Sequence, residues 1–359
     1  MTSRWGGSAR KVQHRHNPAY SLTVFFSLTI TVMNKILIKI LLCFALLQLD
    51  ACTTDEKQPA QPIKIHRLDL AMKNYVTMSP SERLALADSL VNGLNALMAI
   101  HGIAEITDSV LMDYSQSPAV RIFTPDVETC MPDLSSIEQT LGEVERSAKE
   151  LLPSIGRARY YAIVSPYNQS IYIADDVVLI ALNHYLGEDY PGYSGFEKYQ
   201  CAIKTQAHLP YDVVEATICT EFPYQPSSDA LVLNRLLYEG AIVESMMQLL
   251  PDADLAEIMG CDAQGMKWLQ ENEAQAWNAL ISRKLLYSSS IADADKLVNP
   301  SPSTTILHPD SPGRVGRFIG YKIVKAYLKN NPNVSLEDIL SPEFYNSRQS
   351  LIASQYAGK

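Results

Sequence analysis

The sequence lacks the residue patterns that most metal-dependent and nucleophilic enzymes carry. The chain has 359 residues and seven histidines, but no H-E-x-x-H, and no two histidines after residue 51 are three or four residues apart. Its six cysteines include no C-x-x-C, so neither a zinc ribbon nor a dithiol redox site has support. G-x-S-x-G, the usual signature of a serine hydrolase, is also absent. These absences predict no catalytic residue of a common type, no bound metal and no other cofactor.

Long apolar runs are scarce as well, and the longest has the layout of a bacterial secretory signal. Two lysines precede a short run, residues 40–47, which is too short to predict a membrane span. The run ends in LDAC, which resembles a lipobox although an aspartate takes the place of the usual small residue. We expect residues 1–51 to be a signal peptide, with Met33 as an alternative start, and Cys52 to be lipidated. The alternative is a transmembrane anchor formed by this run, alone or with residues 25–32.

The chain that would remain after cleavage is acidic. Six of the 30 Lys and Arg and one of the 39 Asp and Glu lie in residues 1–51, which leaves 24 basic and 38 acidic residues and a net charge near −14. This balance argues against nucleic acid as a partner and against electrostatic adhesion to anionic lipid. Residues 52–65 predict a polar, proline-containing tether. We therefore expect acyl chains to hold the protein at a membrane of the cell envelope, facing the periplasm or the cell surface.

The hydrophobic pattern predicts a single α+β domain over residues 66–359, with a small sheet and a mainly helical C-terminal half. A capping box at Ser79 begins a helix. Residues 121–124 read as a short strand, and residues 160–164 and 170–174 read as a hairpin. The later helices are expected at about 211–222, 229–250, 264–287 and 312–330.

One predicted helix carries an unusual Glu239-Gly240 pair at its centre. Glycine in a helix interior costs about 1 kcal/mol relative to alanine, so we expect another part of the chain to approach the backbone closely there. Glu239 would then face that neighbour.

Two arginines near the start of another helix also need a reason to be there. Arg314 and Arg317 share a face three residues apart, and Ser311 is the predicted N-cap. Cations are disfavoured at the positive end of the helix dipole. We predict that one or both arginines form ion pairs, and the alternative is that they line a cleft and bind an anionic group. The candidate partners are Glu239, Glu271 and Glu273.

Several segments together resemble the GldB-like gliding-motility lipoproteins. They are ALNHYLGEDYPGY from residue 181, LLYEGAIVES from 236, WLQENEAQAWNALISRKLLYS from 268 and HPDSPGRVGRFIGYKIVKAYLKNNP from 308. The resemblance covers about residues 62–350 and agrees with the lipobox. It implies an envelope lipoprotein whose relatives support gliding and for which no chemical reaction is established.

A more distant resemblance is to predicted zinc-dependent proteases, in which a helix bearing H-E-x-x-H precedes a helix bearing a Glu-Gly pair. Here the corresponding first helix, 211–222, reads YDVVEATICTEF and has no histidine. Its only candidate ligands are Glu215, Cys219 and Glu221, whereas such a zinc site needs two imidazoles one turn apart. The resemblance therefore implies a zincin-like layout without the metal site, acting by interaction.

Two other functions remain open alongside this interpretation. One is an envelope metallopeptidase with an atypical metal site. The other is a glycan- or anion-binding module, supported by Tyr185, Tyr190 and Tyr193 in the predicted loop after the sheet. The partner would be an envelope protein or a glycan. Four cysteines of the mature chain allow three disulfide pairings or free thiols, and their spacing selects none. They are Cys130, Cys201, Cys219 and Cys261.

Overall fold

A four-stranded mixed sheet organises the N-terminal half of the protein, in a computed structural model that describes residues 60–166 and 168–358. The strand order is β1-β2-β4-β3. The first three strands in this order run parallel, and β3 is antiparallel to β4. Every residue of β4 is buried, as expected for a strand in the interior of a sheet covered on both faces. The strands are β1 (Ile65–Arg67), β2 (Arg159–Ile163), β3 (Ile171–Ala174) and β4 (Val177–Ala181).

Helices make up most of the rest of the described chain, which confirms the predicted α+β class. Six lie between β1 and β2: α1 (Leu68–Asn74), α2 (Pro80–Ser89), α3 (Val91–Ile100), α4 (Asp108–Ser115), α5 (Pro118–Cys130) and α6 (Ser135–Leu151). Eleven follow β4: α7 (Lys198–Ala202), α8 (Leu209–Glu221), α9 (Val232–Leu249), α10 (Leu255–Met259), α11 (Ala263–Glu271), α12 (Glu273–Ser282), α13 (Ile291–Val298), α14 (Val315–Asn330), α15 (Leu336–Leu340), α16 (Pro342–Tyr345) and α17 (Arg348–Ser354).

Two sequence-based strand predictions were wrong. Residues 121–124 lie inside α5, because Ser117 caps that helix, Pro118 occupies its first turn, and its buried residues recur at helical spacing. The hairpin is formed by β3 and β4, with Asp175 at φ 51° in the turn, whereas β2 and β3 do not pair. The apolar run that becomes β4 inserts between them, because a strand buried along its whole length is more stable inside the sheet than at its edge.

Helix boundaries also differ from the predicted ones in places. The capping box at Ser79 is formed with Glu82, and it begins a helix as predicted; this helix, α2, ends at Ser89, and α3 follows directly after Leu90. The predicted helix 264–287 is divided at Asn272 into α11 and α12. Arg314, not Ser311, is the N-cap of α14, and Ser311 is buried in the preceding loop, where its hydroxyl donates to the His308 carbonyl.

The apolar side chains form two clusters, and α8 lies between them. Leu209 and Val213 pack with the sheet and the N-terminal helices, whereas Val214 and Ile218 pack with the C-terminal helices. The polar face of α8 is consequently held between two hydrophobic cores.

Helices α9 and α14 approach each other through glycines. A Cβ added at Gly240 would lie 2.2 Å from the carbonyl carbon of Gly320, and one added at Gly320 would lie 1.9 Å from the Leu236 oxygen. The close approach predicted at Gly240 is therefore present, and its partner is the backbone of α14. This contact brings Glu239 on α9 next to the first turn of α14, where Arg317 lies.

Candidate functional site

A row of ionisable side chains lies on one face of α8. His208 precedes the helix, and Asp212, Glu215 and Cys219 follow at intervals of four, three and four residues. Residues at these intervals lie on the same side of a helix. This face points toward α9, α10 and α14, which supply the partners described below.

Arg317 is the central partner of this row. Its side chain is only 2% exposed, and its Nη1 donates to Glu215 Oε1 at 2.8 Å. Its Nε lies 3.7 Å from Glu239 Oε2, and its Nη2 lies 3.8 Å from the sulfur of Met246. Burial alone would lower the pKa of Arg317, but the two carboxylates raise it above its ordinary value. The guanidinium therefore stays charged although it is sealed from solvent.

Glu239 is shared between two guanidinium groups. Besides its contact with Arg317, its Oε1 lies 2.8 Å from Nη2 of Arg235, one turn earlier on α9. The Arg235 guanidinium in turn lies over the rings of Tyr224 and Tyr238, with its carbon 5.1 and 5.9 Å from their centroids. Such cation–π contacts favour a partly buried arginine, so Arg235 is fixed where it can hold Glu239.

The carboxyl group of Glu215 stays ionised for a related reason. Burial alone would raise its pKa, but Arg317 and then Arg314 lower the pKa below its usual range. Each of the two carboxylates beside the Arg317 guanidinium thus has a second cationic neighbour, which is Arg314 for Glu215 and Arg235 for Glu239.

Arg314 differs from Arg317 in having no direct ion pair with a described carboxylate. It adopts φ 59°, its Nη1 reaches only the Ile258 carbonyl at 3.4 Å, and its Nε, like that of Arg317, is sealed from solvent without a hydrogen-bond partner. Burial and the nearby Arg317 lower the pKa of Arg314. The cavity beside it is about 20 Å³, which is room for about one water molecule and too little for a phosphate or a carboxylate ligand.

His208 forms the other end of the row. Its Nε2 lies 3.3 Å from Asp212 Oδ1 and its Nδ1 lies 3.0 Å from Glu257 Oε2 on α10. Tyr185 donates to the second oxygen of Asp212 at 2.7 Å. Burial alone would lower the pKa of His208, but Asp212 and Glu257 outweigh it and raise the pKa to about 9. The imidazole is therefore protonated at neutral pH and pairs with both carboxylates.

We call these groups together the charge network. Asp212 and Glu215 contribute favourable electrostatic interactions to Arg314, so they join the His208 group to the Arg317 group. With His208 protonated, the network contains four cations and four anions and is neutral overall. Its members are His208, Arg235, Arg314 and Arg317, and Asp212, Glu215, Glu239 and Glu257.

The structure does not bring Glu271 and Glu273 into this network. Glu271 is exposed and lies 3.8 Å from Lys267 on its own helix. Glu273 is buried, but its carboxylate pairs with Lys322 at 2.9 Å and accepts a hydrogen bond from Tyr356 at 3.0 Å. Of the predicted set, Glu239, Arg314 and Arg317 lie together. Glu273 instead holds the C-terminal residues of the described chain against α12 and α14.

The four cysteines of the described residues are free thiols. Cys219 faces the charge network, and burial raises the pKa of its thiol to about 12, so it does not act as a thiolate. Within residues 60–166 and 168–358, no three His, Cys, Asp or Glu side chains lie close enough together to hold a metal ion. The predicted signal peptide, the lipidation site Cys52 and most of the predicted tether lie outside the described residues.

The sequence-based predictions include Glu215 only as a candidate metal ligand and do not include its pairing with Arg317. They also do not link His208, Asp212 and Arg235 to the arginines. The signal available was the 4-3-4 spacing of polar residues in HLPYDVVEATIC, from 208 to 219, which marks one helical face. The pair of Arg235 with Glu239 also has a signal, because the two residues are four apart on one helix. Glu257 carries no such signal, because its contact with His208 depends on how separate helices pack.

Comparison with known proteins identifies the family. A family model described as "Gliding motility protein GldB" matches residues 51–358. No curated protein and no solved structure matches the chain. None of the described helices is long and apolar enough to serve as a transmembrane span. Because the matched region covers most of the sequence, the chain belongs to the family of gliding motility protein GldB, a family of cell-envelope lipoproteins.

Proposed function

We propose that this protein is a lipid-anchored component of the cell envelope that supports gliding by binding a partner, and that its domain is a non-catalytic scaffold. One observation supports the proposal that the domain is non-catalytic. The Arg317 guanidinium, 2% exposed, lies between Glu215 of α8 and Glu239 of α9 and pairs with both. The carboxylates that could serve a catalytic centre are thus neutralised by a cation of the chain itself.

This arrangement disfavours hydrolysis on physical grounds. A metallopeptidase needs a metal with an open coordination position, where a bound water is activated for attack. A guanidinium supplies positive charge but has no coordination position, and it cannot take up a proton from water. The Arg317 side chain is also only 2% exposed, so a peptide could not reach its guanidinium.

The zincin-like layout is part of the same proposal and rests on the distant resemblance to predicted zinc-dependent proteases. In that reading, α8 and α9 correspond to the two metal-binding helices of those proteins. Glu215 and Cys219, one turn apart, would take the positions of the two histidines, with Glu239 on the facing helix. Arg317 would then fill the space that the metal occupies in the proteases.

Metal analysis of the purified full-length protein tests the proposal that the domain is non-catalytic. The protein is extracted in detergent, incubated with a small excess of ZnCl2, desalted and analysed for zinc, with Cys219→Ser as the matched variant. We expect far less than one zinc per chain in both proteins. One tightly held zinc per chain in the wild type, lost in Cys219→Ser, would overturn the scaffold proposal in favour of a metallopeptidase with an atypical site.

Metabolic labelling tests the lipid anchor. Cells expressing the full chain are given an alkyne-bearing fatty acid, and detergent phase partitioning follows. We expect label and detergent partitioning in the wild type, and loss of both in Cys52→Ser. Unchanged labelling in Cys52→Ser would mean that another residue carries the lipid, and absence of label in the wild type would refute the anchor.

A further inference from the structure

An open groove lies where the central strand β2 ends. Its volume is about 550 Å³, and its walls come from the end of α3, from α4, from the start of α5 and from the residues after β2. Grooves at the carboxyl ends of parallel strands are common binding positions in sheets of this kind. The lining residues are His101, Ile103, Val110, Asp113, Tyr114, Ser117, Pro118, Ala119, Val164 and Pro166.

Rings and aliphatic groups form most of the groove surface. The Tyr114 hydroxyl donates a hydrogen bond to the Val164 carbonyl at 3.3 Å, which fixes the ring against the end of β2. The His101 ring lies 5.4 Å from the Tyr114 ring. Pro118 and Pro166 add two rigid apolar rings. Apolar grooves with aromatic rings suit proline-containing extended peptide segments, because a preformed polyproline II conformation loses little conformational entropy on binding.

The charge of the groove is negative. Asp113 is exposed and lines the groove, whereas no lysine or arginine among the described residues does. Burial lowers the pKa of His101, so the imidazole is neutral at physiological pH and does not offset the carboxylate. The mature chain is strongly acidic too. A basic group on a ligand would therefore be attracted, and an acidic one repelled.

The groove and the point where the described chain enters the sheet lie at opposite ends of the parallel strands. The chain reaches β1 from Ile63, whose N–H donates to the Glu138 carbonyl at 3.0 Å. Since β1 and β2 are parallel, this entry lies at their amino ends and the groove at the carboxyl end of β2.

We propose that this groove binds an extended segment of a partner protein in which an apolar side chain lies next to a lysine or arginine. The apolar side chain would contact Tyr114, Val164 and Pro118, and the basic group would pair with Asp113. This inference rests on the proposed function, since it names the kind of partner through which a non-catalytic scaffold would act.

Binding of a small set of capped peptides to the full-length protein in detergent tests the proposal. The probes are hexapeptides with one leucine and two prolines that carry either lysine or glutamate beside the leucine. We expect the lysine peptides to bind the wild type and the glutamate peptides to bind much more weakly. Asp113→Asn should weaken lysine-peptide binding about threefold to fivefold, the effect of an exposed ion pair. Ala119→Leu, which narrows the groove, should weaken binding strongly.

Asp295→Asn is the matched control, because it removes the same charge from an exposed position on α13, outside the groove. It should leave peptide binding unchanged, and all three variants should keep the wild-type melting temperature. The proposal is overturned if no lysine peptide binds, if lysine and glutamate peptides bind equally, or if Asp113→Asn and Asp295→Asn behave alike. Binding of a neutral oligosaccharide at the groove in place of the peptides would also overturn it. By contrast, one bound zinc ion per chain would refute the scaffold proposal but would leave the peptide-binding results unchanged.

Discussion

Replacing Arg317 with methionine tests whether the charge network is a structural unit. Methionine keeps most of the side-chain length and removes the cation. Glu215 and Glu239 would then face each other across an apolar group, and only Arg235 would still pair with Glu239 directly. We expect Arg317→Met to fold less stably than the wild type, because two partly or fully buried carboxylates lose their shared counter-ion.

The size of the effect follows from the burial of the partners. Removing one member of a buried ion pair costs about 3–5 kcal/mol. The Glu215 side chain is 28% exposed and can be reached by water, and Glu239 keeps Arg235. These two facts place the expected loss near the lower limit, at about 3 kcal/mol. At roughly 2 °C per kcal/mol for a chain of this size, the melting temperature would fall by about 6 °C.

Thermal and urea unfolding of the full-length protein in detergent, followed by circular dichroism, measures this loss. Lys267→Met is the control, because its side chain is 71% exposed and pairs with Glu271, which is 63% exposed, outside the network. It should cost about 1 kcal/mol or less, as an exposed pair does. Adding Glu215→Gln and Glu239→Gln to Arg317→Met should recover part of the lost stability, since it removes the unpaired charges. A wild-type melting temperature for Arg317→Met would refute the reasoning.

Three further changes test other parts of the structure by the same unfolding measurements. Arg314→Met should change stability by less than about 1 kcal/mol, because Arg314 has no direct carboxylate partner whose charge would be left buried; a loss as large as that of Arg317→Met would contradict this. His208 has a folded-state pKa of about 9 against an ordinary value of 6.5, so its pairs should stabilise the fold fully below pH 6.5. That contribution, roughly 3 kcal/mol, should be lost as the pH rises through 9, and His208→Gln should remove this pH dependence; an unchanged pH profile in the variant would count against the assignment. Gly240→Ala should cost about 1–3 kcal/mol because its Cβ would overlap the backbone at Gly320, whereas Gly195→Ala, with nothing within 4 Å, should be nearly neutral; equal effects would contradict the packing of α9 on α14.

The sequence predicted those parts of the fold that depend on local chemistry. The capping box at Ser79 and the close approach at Gly240 each follow from a few neighbouring residues, and the structure contains both. The helical C-terminal half followed from apolar periodicity in the same way. The strand predicted at 121–124 failed because a β-branched and aromatic run was read without the Ser-Pro helix start just before it.

Strand pairing could not be read from the sequence for a different reason. Residues 160–164 and 170–174 are close in the chain, which favours a hairpin on loop length alone. The competing run 177–181 is wholly apolar, and its burial on both faces is a property of the complete sheet. A local pattern therefore could not show that β4 would insert between β2 and β3.

The same distinction explains what could be foreseen of the site. The arginines were singled out because cations at a helix start are unfavourable, and Glu239 because of the glycine beside it. Their contact depends on α9 and α14 meeting at Gly240 and Gly320, and Glu215 enters only because α8 packs against both helices. No residue spacing in the sequence identifies such contacts, because the segments that form them are far apart in the chain.

The composition of the network suggests what it contributes to the protein. Buried ion pairs are weak evidence for net stability, because desolvation offsets most of their attraction. Their geometric demands are stronger: Arg317 can satisfy Glu215 and Glu239 only if α8, α9 and α14 keep one relative arrangement. Since α8 has apolar residues in both hydrophobic cores, fixing α8 also fixes the sheet relative to the C-terminal helices. A scaffold that presents the groove at the end of β2 to a partner needs that rigidity, whereas an enzyme would need the same carboxylates to be free.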